Sequence, residues 1–141
     1  MEKEVKASRT REVLFEGFTS DELLRLPHET LQQLVLLNQP IVFRAGSAVV
    51  LGQFAVTSAS LVLELAQIEG GGEGILPSLA SLARRYAELN GLSTIEWIVH
   101  AVSCATPNLK LRRVLERRGF RVEQVGAAGV AYHLVESIHK G

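Results

Sequence analysis

Between residues 67 and 76 the chain reads Gln67-Ile-Glu-Gly-Gly-Gly-Glu-Gly-Ile-Leu, four glycines in five positions between an apolar run and an amphipathic one. Residues without a Cβ let main-chain N–H groups turn toward a ligand, and a helix start adds positive potential, so such a turn suits a phosphate or pyrophosphate. A flexible connection is the other reading of the same residues. No Gly-Lys-Ser/Thr follows, which excludes a Walker loop, and the hairpin-like strands before the glycines disfavour a Rossmann unit.

Proton-transfer chemistry has fewer candidates. Glu64 sits in the apolar context Leu61-Val-Leu-Glu-Leu-Ala, where burial would raise its pKa toward the range useful to a general base; on a half-exposed sheet face it would instead point to solvent. Glu96 and His100 are four residues apart and share one face of a strand with period two. They could relay a proton, touch a substrate or form a surface ion pair. Tyr132 is the candidate acid, or else a core tyrosine with its hydroxyl at the rim, because Tyr86 belongs to the apolar face of a helix. Cys104, beside Ser103, would need a base to become nucleophilic, and no Cys-His-Asp pattern supplies one; it reads as a small pocket residue. The four histidines show no ligand spacing, so no metal is expected.

The elements that must position these residues follow from periodicity. A strand is expected from Arg11 to Phe18, with Val13 and Phe15 alternating against Glu12, Leu14 and Glu16. A short helix capped by Thr19 or Ser20 runs to Leu26 and stops at Pro27; a second places Leu31, Leu34 and Val35 on one face and ends before Pro40. Ile41 to Arg44, Ala48 to Val56 and Ser60 to Ile68 are β-branched and apolar runs that predict an antiparallel meander. Ile75 to Asn90 predicts a helix burying Leu79, Leu82, Ala83, Tyr86 and Leu89, with Pro77 in its first turn and Gly91 as its cap. A strand from Thr94 to Val102, a helix from Asn108 to Arg118 and strands over Arg121 to Val125 and Val130 to Glu136 complete the order β-α-α-β-β-β-α-β-α-β-β. The fold class expected is therefore α/β (α+β), with a mixed, mostly antiparallel central sheet flanked by helices.

Composition bounds the partners. The 141 residues are 47% apolar and 21% charged, the balance of one globular domain over residues 1–141, with 1–10 and 137–141 expected as flexible ends. Fifteen basic residues balance fifteen acidic ones, so no overall field favours nucleic acid or an anionic membrane. The cluster Lys110, Arg112, Arg113, Arg117 and Arg118 gives one helix a basic face, read as a solvated face or a phosphate contact. No apolar run nears the roughly 18 residues of a membrane span, and no secretory signal is visible, which makes cytoplasmic residence the default. The lone cysteine excludes an internal disulfide.

The chain resembles the Gcn5-related N-acetyltransferase (GNAT) superfamily. That family shows Arg/Gln-Gly-x-Gly-x-Gly between its fourth strand and third helix, matched here by Gly70, Gly72 and Gly74, then an Asn with Gly-Phe eleven and twelve residues on, matched by Asn108, Gly119 and Phe120. The element order over about residues 11 to 136 is also similar. The resemblance implies acetyl-CoA as cofactor: strand residues Leu65, Ala66, Gln67 and Ile68 along the pantetheine arm, the turn Gly70, Gly71, Gly72, Glu73, Gly74 and Ile75 around the pyrophosphate, and Asn108 and Arg112 beside coenzyme A. It further implies direct acetyl transfer to a small-molecule or peptide amine with Glu64, at a strand position similar in general location to the catalytic carboxylate of some relatives, as the base; Tyr132 is the candidate acid left by the residues themselves. Homodimers are common in the family, and the last strand could pair across such an interface or lie as a covered edge. The sequence departs from the pattern at Glu69, where Arg or Gln is usual, at Glu73 inside the turn, and at Leu115, where many relatives carry the acidic Tyr. These departures motivate the alternative, a non-catalytic acyl-CoA-binding module of the same fold.

Overall fold

The computed structural model describes residues 11–14, 19–46, 48–69, 75–100 and 109–138. Strand β1 (Arg11–Leu14) buries Val13 and exposes Glu12 and Leu14, as its alternation predicts. Helix α1 (Ser20–Leu23) starts from a reciprocal cap in which the Glu22 N–H donates to Thr19 Oγ1 at 3.1 Å and the Thr19 N–H to Glu22 Oε1 at 2.8 Å. It ends before the expected Leu26, in a tighter turn closed by the Arg25 N–H on the Glu22 carbonyl at 3.1 Å. Both Leu23 and Leu26 are thereby buried.

Helix α2 (His28–Leu34) is also shorter than its periodicity predicts. Leu37 bridges to Phe54, and Asn38, at φ +62°, donates its N–H to the Phe54 carbonyl at 2.7 Å, so the sheet claims these residues. The meander then follows as expected: β2 (Pro40–Ala45), β3 (Ala48–Thr57) and β4 (Ser60–Glu69) pair antiparallel in turn.

Helix α3 (Leu76–Leu89) carries Pro77 in its first turn and buries Leu79, Leu82, Ala83 and Tyr86. Leu89, expected on the same face, is 40% exposed. The reason is the helix end: Gly91 takes φ +69° and the Leu92 N–H donates back to the Ala87 carbonyl at 2.9 Å, which folds Leu92 inward in its place. Strand β5 (Thr94–Val99), helix α4 (Leu109–Arg117) and strands β6 (Arg121–Gln124) and β7 (Val130–Ser137), the last two joined through a single 3-10 turn (Gly126–Ala128), complete the described elements.

The sheet has seven strands in the order β1-β2-β3-β4-β5-β7-β6. β1 with β2 and β4 with β5 run parallel, and the other neighbours are antiparallel. Directly paired residues share a face. Leu61, Leu63 and Leu65 stand opposite Ile95, Trp97 and Val99, all buried, and they join Phe43, Phe54 and the inner faces of α1 to α4 in one apolar cluster. Residues of intervening parity, Val62 with Glu96 and Glu64 with Ile98, lie on the other face. Among the described residues no polar or charged side chain is fully buried, and no helix is long and apolar enough to cross a membrane.

Candidate functional site

The parallel pair β4 and β5 divides before β4 is finished. Register runs from Ser60 opposite Thr94 to Leu65 opposite Val99, and one further bond, from the His100 N–H to the Leu65 carbonyl at 2.9 Å, closes the ladder. β4 then continues through Ala66 to Glu69, paired with β3, with Leu51 opposite Ala66 and Val49 opposite Glu69. Three steps along β4 match two along β3 there, a bulge that bends the strand at this point. Among the described residues no strand pairs with the other edge of β4 beyond Leu65. Main-chain N–H donors and C=O acceptors along such an edge can pair with an extended ligand that carries amides, as the pantetheine arm of coenzyme A does.

At the point of division Glu64 and His100 meet. His100 Nε2 and Glu64 Oε2 are 2.6 Å apart, a contact in which the ring N–H donates to the carboxylate. They lie in an open cleft of about 260 Å³ whose remaining wall is Pro40, Leu51, Gln53, Ala66 and the backbone at Gly52. Glu64 is not buried as its apolar neighbours in sequence suggest: its side chain is 45% exposed and that of His100 26%. Leu61, Leu63 and Leu65 face the core, and Glu64 takes the opposite side by alternation.

Glu96 and His100 share a face, as expected, yet they pair with different partners. Glu96 Oε2 accepts from His133 Nε2–H at 2.7 Å, and His133 Nδ1 faces Glu123 Oε1 at 2.8 Å, which ties β5, β7 and β6 together through one imidazole. Burial lowers the His133 pKa, but the hydrogen bonds and charges of Glu96 and Glu123 outweigh it and the net shift is upward. Sequence reasoning did not single out His133, Glu123 or Glu116. The available signal was parity: with Tyr132 turned inward, its neighbour His133 must face the Glu96 side.

Tyr132 is not brought to Glu64. It stands opposite Val99, on the helix side of the sheet, and its hydroxyl donates to Glu116 Oε2 of α4 at 3.2 Å. Burial first, then the hydrogen bond and charge of Glu116, raise its pKa against a smaller opposing effect of Arg112. Leu65 and Ile75 have fully buried side chains, so they would meet a ligand through the main chain only, whereas Ala66 lines the cleft. Gln67 and Ile68 continue β4 beyond its last pairing with β5 among the described residues. Arg112 sits half-buried on α4. Gly70, Gly71, Gly72, Glu73, Gly74, Ser103, Cys104 and Asn108 lie outside the described residues.

No protein-family model and no curated protein matches this chain. Among solved structures it is similar to the crystal structure of a "putative N-acetyltransferase from Lactobacillus plantarum", at 16% identity and a TM-score of 0.36, over 65% of this chain and 60% of that one. The chain thus spans less than two thirds of the length of that structure.

Proposed function

We propose that this chain is an N-acetyltransferase of GNAT-like fold that passes an acetyl group from acetyl-CoA directly to an amine. The observation that carries the reading is the division of β4 from β5 with a carboxylate–imidazole pair at its root. The sequence order supports it: the glycine-rich run Gly70 to Gly74 follows β4 and precedes α3, and Asn108 immediately precedes α4. In this reading the edge from Ala66 through Ile68 binds the pantetheine arm. The turn from Gly70 through Glu73 to Ile75 holds the pyrophosphate by main-chain N–H groups, and Asn108 and Arg112 flank the cofactor.

Acetyl-CoA, when bound, supplies a thioester carbonyl as electrophile and a thiolate as leaving group. The protein's own work is then acid–base chemistry and positioning. An amine acceptor arrives as an ammonium ion and cannot attack until it loses a proton. Glu64 takes that proton, and His100 orients its carboxylate and shares the charge through their hydrogen bond. Tyr132, on the far face, has no part in the step, and the proton needed by the departing thiolate comes from the acceptor nitrogen by way of Glu64 or from solvent.

Thermal unfolding with coenzyme A at about 100 times its Kd tests the binding half. Stabilisation of about 2.7 kcal/mol is expected, or roughly 5–10 °C in a domain of this size. Thiol release with an amine tests the chemistry: Glu64→Gln should lower turnover by about 100-fold or more with cofactor affinity unchanged. No thermal shift refutes the reading. A shift without turnover on any amine leaves the acyl-CoA-binding module instead.

A further inference from the structure

The last strand, β7, is interior to the sheet, between β5 and β6, and it is β6 that stands at the end. All four residues of β6, Arg121, Val122, Glu123 and Gln124, are exposed, Val122 by 50%. Natural edges are blunted by lysine, proline or a bulge. β6 is instead Arg-Val-Glu-Gln in unbroken register with β7, and its two charges are opposite in sign.

The hydrogen bonds tell which main-chain groups of β6 face outward. Just past the strand the Val125 N–H donates to the Gly129 carbonyl at 2.8 Å, continuing the register in which Gln124 stands opposite Val130. Successive residues of a strand turn their main-chain groups to opposite sides. Glu123 and Arg121 therefore turn theirs to Ala131 and His133 of β7, while Val122 and Gln124 turn theirs away from the sheet. A second copy running antiparallel about a two-fold axis must match outward groups with outward groups, which places the axis on a residue and never between two. With the axis at Glu123 the two Glu123 carboxylates stand directly opposite each other, in the pairing where side chains come closest, and repel. With the axis at Val122 the same close pairing sets Arg121 opposite Glu123 of the second copy, twice, and lays each exposed Val122 against its counterpart. The Glu123 carboxylate, one oxygen of which is 2.8 Å from His133 Nδ1, is 46% exposed and has further acceptor sites for a guanidinium. Charge thus selects one register.

We propose that β6 is a dimerisation edge, on which a second copy of this chain pairs about a two-fold axis at Val122, Arg121 of each copy on Glu123 of the other, joining the two sheets into one. The pairing is independent of the acetyltransferase reading.

Sedimentation equilibrium of the full chain tests it. One short strand makes a small interface, so a Kd of about 1–100 µM is expected. Arg121→Glu turns two attractive pairs into two repulsive ones and should raise that Kd at least about 10-fold. It breaks no ion pair of the folded chain among the described residues, and circular dichroism checks that it folds. Glu123→Arg should weaken self-association in the same way, whereas an equal mixture of the two variants restores unlike charges at both pairs and should dimerise within about threefold of the unaltered protein. The double variant R121E/E123R, self-complementary again, should do the same. An unaltered protein that stays monomeric at about 500 µM overturns the proposal. So does a dimer whose Kd Arg121→Glu leaves unchanged, which would place the interface on another surface. If Glu123→Arg does not fold for want of its His133 contact, the double variant decides: failure to recover the dimer lost in folded Arg121→Glu refutes the register at Val122.

Discussion

The imidazole of His133 makes a pH-dependent contribution to stability whose sign and size follow from its two contacts. Glu96 and Glu123 lie 2.7 and 2.8 Å from its two ring nitrogens. A neutral ring has one N–H and can serve only one of them; the imidazolium serves both. Hydrogen bonds to charged groups contribute about 1.5–3 kcal/mol when well buried. The Glu123 side chain is 46% exposed, which reduces that contact toward the ~0–1 kcal/mol of surface pairs, while Glu96 at 30% and His133 at 19% keep more of theirs. Losing the second N–H and leaving a ring lone pair against a carboxylate therefore costs about 1–2 kcal/mol. Because the folded pKa is raised above the unfolded value, this stability is complete below the unfolded pKa near 6.5 and is lost as pH rises through the folded value. Urea unfolding of the unaltered protein and of His133→Gln between about pH 6 and pH 9 isolates the term, since the two proteins differ at that side chain alone. The advantage of the unaltered protein should shrink by about 1–2 kcal/mol across that range, or roughly 3–8 °C in Tm. An advantage that stays constant or grows with pH would refute the double contact.

Tyr132→Phe removes the hydroxyl from Glu116 on the helix side, 3.2 Å away, and should cost about 1 kcal/mol of stability while leaving amine-dependent thiol release within about twofold. A loss of 100-fold or so in that assay would instead make Tyr132 the acid. At Gly52 a Cβ would stand 2.8 Å from Leu65 Cδ2 and 3.3 Å from the Phe43 ring, both core side chains. Gly52→Val should therefore destabilise by about 1–3 kcal/mol in calorimetry, with Gly52→Ala intermediate; an unchanged Tm would show that Leu65 and Phe43 repack at no cost.

The elements most legible from sequence are those whose pattern and punctuation agree. The meander from β2 to β4 is bounded by turn residues and built of β-branched runs, and α3 has a proline at its start and a glycine past its end. Helix α2 fell short of its periodicity because a tertiary contact outweighed a weak local preference: Leu37 and Asn38 pair with Phe54 of β3 instead of adding another helical turn. Leu89 escaped for a different reason. Its helical phase is correct, but the reversal at Gly91 brings Leu92 to the core first.

For the site, periodicity assigns each residue a face and stops there. Glu64, Glu96, His100 and His133 lie on one side of the sheet and Tyr132 on the other, a division that alternation along each strand contains. Which carboxylate meets which imidazole depends instead on the stagger between strands. Glu64 lies opposite Ile98, yet it reaches His100, two residues further on; Glu96 lies opposite Val135 and reaches back to His133. Both contacts are diagonals, and both depend on a register that a single strand's sequence does not encode. Had the register of β5 slipped by two residues against β4, the same alternation would have held and Glu64 would have faced His100 or Glu96 directly. The bond from the His100 N–H to the Leu65 carbonyl, the last of the β4–β5 ladder, therefore pins the acid–base pair as well as the place where the strands part, and the cleft and the chemistry proposed for it share that one cause.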